Sequence, residues 1–365
     1  MSKKTPKSIR IILAQQISDL FLHEKEWDLL SETCPSVYPT QTFTWTHSFF
    51  KHKLNKKTLW VCLFAYYDDK MIGVFPLVEV KRKQLAGISF QFFSTPSDPF
   101  HTIRTGCLVL PGHEYIMELF LKKIKDEFRT FPIIRIANIP ECSSSLECVK
   151  ANSSRISFIK TNSGQEVYLK IKNSFQEYLD SLNPKFRREI KRQERRLIEQ
   201  NPITYRISER KQSNQANLDL FVQVESSGWK GEKRTSVKEN PGDLELFSEA
   251  TDSFHKKGMI KWSFLQSDSG VISAQIAVKV NTTVFLWKIG YREEFAFYAP
   301  GNLLLNKFIE HCHSNSEIEE INFMSGRSWL KPWSPYKREL YNLVIFPKHF
   351  LIAKVLKIFY KVKNR

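Results

Sequence analysis

The stretch from Ile260 to Met324, IKWSFLQSDSGVISAQIAVKVNTTVFLWKIGYREEFAFYAPGNLLLNKFIEHCHSNSEIEEINFM, decides the fold. Its β-branched and aromatic runs divide into three strands, IKWSFL, VISAQIAVKV and TVFLWKIGY, with turn residues Ser267 to Gly270 between the first two. An apolar helix, NLLLNKFIEHCH, and a further strand, IEEINFM, follow. The same order occurs earlier. LWVCLFAYY from Leu59, a turn at Asp68 to Lys70, MIGVFPLVEV and ISFQFF read as strands. EYIMELFLKKIKDEF then places Ile116, Leu119, Phe120, Ile124 and Phe128 near a 3.6-residue period, and IIRIANI closes the set as a strand. Two copies of one α/β module account for this order; a single mixed domain with coincidental hairpins is the alternative. The polar, turn-flanked stretch ANSSRISFIKTNSG (151–164) marks the boundary. The expected division is an N-terminal module over 1–160, a C-terminal module over 161–345 and a tail over 346–365.

At 365 residues and 42% hydrophobic content, the chain has the material for two ordinary cores. Lys and Arg number 55 against 38 Asp and Glu, a formal charge of +17 that favours phosphates, nucleic acid or an anionic bilayer as partners. The six cysteines are scattered, without the dense framework of a small secreted protein, so a reducing compartment fits. The short apolar stretch before Gln15 is too small for a signal-peptide core, and no run reaches the length that spans a bilayer. A cytoplasmic location is expected, with peripheral contact at the inner membrane surface as an addition to it.

The segment LNPKFRREIKRQERRL (182–197) opens a well-marked helix: Asn183 suits an N-cap and Pro184 the first helical position. Phe186, Ile190 and Leu197 share one face. Lys185, Arg187, Arg188, Lys191, Arg192, Arg195 and Arg196 set seven positive charges against Glu189 and Glu194. A solvated face laced by pairs such as Glu189 with Arg192 is one reading, and a phosphate-bearing ligand or nucleic acid is the other.

Four segments together resemble the CelD-like acyltransferases of the GNAT superfamily, a group linked to envelope polysaccharide synthesis and related to the Fem-type peptidoglycan bridge transferases. They are LNPKFRREIKRQERRL, ESSGWKG (225–231), GYREEFAFYAPGNLLL (290–305) and INFMSGRSWLKPW (321–333). The resemblance covers about residues 170–335 well, and the first half loosely, through hairpin order and SDPFH (97–101). It implies an α/β (α+β) fold of two tandem GNAT-like acyl-CoA N-acyltransferase modules, each a mixed twisted sheet flanked by helices. It also implies acetyl-CoA or another acyl-CoA as co-substrate, held between central strands of the second module. The family's phosphate loop carries more than one glycine, whereas the matching loop here has Gly301 alone.

Pro300 and Gly301 lead directly into an apolar helix, so N–H groups over Gly301, Asn302 and Leu303 are placed to meet a pyrophosphate. Acyl transfer needs donors for the thioester oxyanion and an acid for the leaving thiolate. Backbone N–H groups between Lys288 and Gly290 suit the first; Tyr298, or Tyr291, suits the second, with aromatic packing as the alternative for both. Lys331 suits an anionic acceptor or carbonyl polarisation. Trp229 and Lys230 follow a helix, LDLFVQVESS, where the resemblance implies an acceptor-facing turn, and Arg188 joins them on the acceptor side. Glu225 is either a base or a solvated helix-end carboxylate. Asp98 is either a ligand to the acceptor or plain turn chemistry within Ser-Pro-Ser-Asp-Pro. His311, Cys312 and His313 point in different directions on a helix and no second cluster completes them, so no metal is expected.

The tail from Lys348 to Arg365 holds six Lys or Arg residues, no acid and a set of apolar residues, an amphipathic pattern for an anionic membrane or for packing on the second module. The functional expectation is an N- or O-acyltransferase acting on a sugar, sugar nucleotide or envelope precursor. A Fem-type transferase using aminoacyl-tRNA is the alternative, in which the basic helix binds RNA. A nonenzymatic nucleic-acid-binding protein is the third reading.

Overall fold

The computed structural model describes residues 9–85, 88–98, 101–172, 174–208, 212–228 and 234–348. Its contacts divide the chain into two units, Met1–Gly164 with Glu339–Arg365, and Gln165–Arg338. The second unit therefore ends at Arg338 rather than at 345, because the last strand pairs with the first unit from Leu340 on.

In the first unit the chain runs β1 (Ile9–Ala14), α1 (Ile17–Phe21), α2 (Glu24–Thr33), α3 (Phe43–Lys53), β2 (Trp60–Tyr67), β3 (Lys70–Leu85), β4 (Ile88–Ser94), β5 (Leu108–Val109), α4 (Ile116–Phe128), β6 (Phe131–Pro140) and α5 (Ser144–Ala151). Its sheet order is β1-β2-β3-β4-β6, antiparallel except that β4 and β6 run parallel. The β2–β3 turn is tight because Asp68 takes φ 53, a left-handed geometry that Asp tolerates. α4 buries Ile116, Met117, Phe120, Leu121 and Ile124 on this sheet, the stripe its 3.6-residue period dictates.

β7 (Ile156–Lys170) carries the chain into the second unit, which continues α6 (Phe175–Ser181), α7 (Pro184–Gln200), β8 (Ile203–Ile207), α8 (Asn214–Ser227), α9 (Asp243–Lys256), β9 (Ile260–Ser267), β10 (Gly270–Val280), β11 (Thr283–Tyr291), α10 (Pro300–His313) and β12 (Glu320–Asn322). β13 (Tyr336–Pro347) follows. The sheet order here is β7-β12-β11-β10-β9-β8, with β11 and β12 the parallel pair. Each unit thus contains three antiparallel strands, a helix and a returning parallel strand, the order legible in the sequence. Among the described residues no helix is long and apolar enough to cross a membrane.

The α10 stripe Leu304, Leu305, Phe308 and Ile309 packs into the core of the second unit with Leu265, Val284 and Ile321. Phe308 is 1% exposed. Phe308→Ala is expected to destabilise the protein by about 3–5 kcal/mol, measured as a lower midpoint of denaturant unfolding with an unchanged slope. A loss below 1 kcal/mol would show that α10 does not depend on this contact.

Candidate active site

β11 and β12 start as neighbours and then part. Thr283, Val284 and Phe285 pair with Glu320, Ile321 and Asn322, and the pairing stops there. On its other edge the chain pairs with β7 from Glu320 on and stays bonded to it past Asn322: Phe323 N–H donates to Val167 O, and Val167 N–H to Ser325 O. The turn is fixed by Asn322 Oδ1, which accepts Met324 N–H at 2.8 Å while Met324 adopts φ 49. Arg338 steadies the start of β12 by a two-pronged bond to Glu320 and a third to the wholly buried Glu166. β11 meanwhile continues through Leu286 to Tyr291, bonded to β10 on its other side. In that pairing Ile276 opposes Lys288 and Ala277 opposes Leu286, so Trp287 is the extra residue of a β-bulge.

In the first unit the corresponding pair stays closed. Phe90 to Ser94 pair with Phe131 to Arg135 to the end of β4, and Thr95 N–H continues the ladder to Arg135 O. The parallel pair of the second unit, by contrast, parts after Phe285, and it does so beside a helix start.

That helix start lies over the end of β11. A Cβ at Gly301 would stand 3.6 Å from both Ile289 Cδ1 and Tyr291 Cδ1, ordinary contact. Ala299, at φ 46, caps the helix in the left-handed region, and Pro300 is buried at the first position. The free N–H groups expected here reduce to one. Asn302 and Leu303 both donate to Ala299 O, and the Leu303 side chain is buried in the core, whereas Gly301 N–H has no acceptor among the described residues. Gly290, within β11, accepts Ser273 Oγ on its carbonyl at 2.8 Å.

The tyrosines differ. Tyr291 ends β11 half-buried, and burial, then the Glu293 carboxylate, raise its phenol pKa. Tyr298 packs partly into the core and has no hydrogen-bond partner among the described residues. Lys331 is exposed between the buried Leu330 and Trp333, without an ion pair among the described residues. α7 reaches both regions. Phe186 in its first turns packs edge-on against Trp333 at 5.0 Å, and Arg196 near its end lies 5.8 Å from the Phe297 ring, three residues before Pro300. The expected cap is present, Asn183 Oδ1 accepting Lys185 N–H. Arg187 pairs with Asp180 and Arg192 with Glu189, while Lys185, Arg188 and Lys191 are exposed without a carboxylate partner among the described residues.

Two expectations change. Glu225 is neither solvated nor available as a free base: it is 1% exposed, its Oε1 accepts Lys288 Nζ at 3.1 Å and its Oε2 accepts Val237 N–H at 2.9 Å. Asp98, in the first unit, makes a turn: its Oδ1 accepts His101 N–H and its own N–H donates to Thr102 O. Trp229 and Lys230 lie outside the described residues, as does the tail from His349 on. The buried Lys288–Glu225 pair and the Trp287 bulge escaped sequence reasoning. A cavity of ≈ 340 Å³ also borders α10, lined by Tyr205, Ser263, Lys307 and His311 among others, but no residue of β11 or β12 lines it.

Comparison with known proteins bears on the second unit and on the fold. Residues 184–338 match the acetyltransferase (GNAT) domain family, so the second unit carries such a domain and the chain is an enzyme of the acyltransferase class. The chain is similar in fold to FemX, with 12% identity, a TM-score of 0.61, and 91% of this chain and 98% of that one covered. It is similar also to a conserved protein of unknown function from Bacteroides thetaiotaomicron, at 13% identity and a TM-score of 0.53, over 93% and 100% of the two chains. A third likeness, at 10% identity and a TM-score of 0.53 over 95% and 97%, is to the C-terminal domain of a putative lysylphosphatidylglycerol synthetase from Agrobacterium fabrum. No curated protein matches in sequence.

Because its folded pKa lies above the ordinary 10.0, Tyr291 keeps its proton at neutral pH, and its stabilising contribution is lost as pH rises through the folded value. The absorbance difference between wild type and Tyr291→Phe in an alkaline titration is expected to have its midpoint above pH 10; a midpoint at or below it would contradict the assigned burial.

Proposed function

We propose that the protein is an acyl-CoA-dependent N- or O-acyltransferase of the CelD-like group, with acetyl-CoA as the default donor and a sugar, sugar nucleotide or other cell-envelope precursor as acceptor. The observation that carries this is the parting of β11 from β12 beside the Pro300–Gly301 helix start, inside the matched acetyltransferase domain.

Where β11 has parted from β12, its backbone presents alternating donors and acceptors, which suits the amide-bearing arm of the donor. The Gly301 N–H and the positive end of α10 suit its pyrophosphate, with Arg196 and the unpaired cations of α7 adding charge. The Trp287 bulge turns N–H groups out of the ladder, in the segment through Lys288 to Gly290 expected to polarise the thioester carbonyl. The acceptor nitrogen or oxygen attacks that carbon and loses its proton to solvent, the C–S bond breaks, and Tyr298 or Tyr291 gives a proton to the thiolate and regains one from solvent. Lys331, Arg188, Trp229 and Lys230 serve the acceptor side. The basic tail brings the enzyme to an anionic inner-membrane surface.

The Fem-type alternative, with aminoacyl-tRNA as donor, is favoured by the FemX-like fold and by the three unpaired cations on α7. Calorimetry at moderate salt separates the two. Saturable binding of acetyl-CoA and CoA, lost in Gly301→Trp, is expected. No binding by wild type to these or to longer acyl-CoAs, together with coelution of tRNA, would replace the proposal by the alternative.

A further inference from the structure

From Leu286 to Tyr291, β11 pairs with β10 and has parted from β12, so its position depends on what else packs against it. The end of α8 is fitted to this stretch at three points. A Cβ at Gly290 would stand 3.1 Å from Glu225 Cα, and one at Gly228 would stand 2.9 Å from Tyr291 O, so the glycines let helix and strand lie flush. The third point is the Lys288–Glu225 ion pair at 3.1 Å, with side chains 8% and 0% exposed. The same carboxylate holds Val237, itself fully buried, through its N–H. Lys288 follows the bulge residue Trp287, whose ring packs on Phe247 at 5.0 Å, and the Lys288 ammonium lies 5.6 Å from that same ring.

A buried ion pair is a poor source of stability, since apolar residues of similar volume often do as well or better. What it supplies is direction: it is satisfied in one arrangement of strand and helix. We propose that Glu225 is a positioning residue for acyl transfer. Through Lys288 it fixes the bulge and the aim of the N–H groups that follow it, and through Val237 it ties the segment 234–240 to the same carboxylate. The catalytic meaning of this clamp rests on the acyl-CoA reading above; the clamp itself does not.

The test compares Glu225→Gln, Lys288→Met and the double variant in the full chain. Three quantities are read: melting temperature, amide hydrogen exchange by peptide, and release of CoA thiol from acetyl-CoA with kcat and KM separated. Each single variant leaves one buried partner unmatched, so exchange over 286–291 and 234–240 is expected to quicken by about tenfold. A misplaced donor site lowers kcat by up to about 100-fold with little change in KM for acetyl-CoA. The double variant removes both charges, so its melting temperature recovers while exchange and kcat do not. Recovery of all three would reduce the pair to a structural role, and unchanged exchange in the single variants would remove the clamp. A wild type that neither binds acetyl-CoA nor releases thiol would overturn the donor reading, and with it the catalytic role, while the exchange comparison still decides the clamp.

Discussion

The second unit depends on one act of backbone accounting: β12 leaves β11 after three residues while the chain stays bonded to β7 on its other side. Every buried N–H and C=O must find a partner, so a strand that loses a neighbour in mid-course is held only if something else serves its exposed edge. Asn322 and Met324 turn the departing chain, and Arg338 fastens it between Glu166 and Glu320. The result is a parting of β11 from β12 beside the start of α10. The first unit shows the same order of elements without that parting, since β4 and β6 stay paired to the last residue of β4. Two modules with the same order of elements therefore differ in whether their parallel pair stays closed.

Electrostatics reinforces the placement. α7 carries seven Lys or Arg residues against three Glu, and has little apolar surface beyond Ile190 and Leu197, which are its buried residues. Helices of this kind draw stability from capping and from the few core contacts they make, and their free cations remain available to an anion. Phe186 on Trp333 and Arg196 beside Phe297 hold α7 against the two loops that flank the parting. The left-handed Ala299 at the head of α10 is a strained position next to the same loops, as is common where backbone geometry serves binding.

Periodicity made much of this legible. The strands from Ile260 to Tyr291, the α10 stripe and the Asn183 cap all follow from alternation, apolar spacing and turn chemistry. The register did not. That IEEINFM would form a strand was readable from its residues, but that only Glu320 to Asn322 pair with β11 depends on β7, more than 150 residues away in sequence. Trp287 as a bulge is invisible for the same reason, since TVFLWKIGY alternates no differently from an unbroken strand. Glu225 looked like a helix-end carboxylate because its partner, Lys288, is supplied by a distant strand. The expected amides of Asn302 and Leu303 were miscounted because the left-handed Ala299 turns its carbonyl back to accept both.

The central claim is that the second unit, where β11 parts from β12, takes the donor. Amide hydrogen exchange of the wild-type chain with and without saturating CoA tests it most directly. Protection confined to peptides covering 286–291 and 299–303 is the predicted result. Protection over 90–95 in the first unit, with no change over β11, would contradict it.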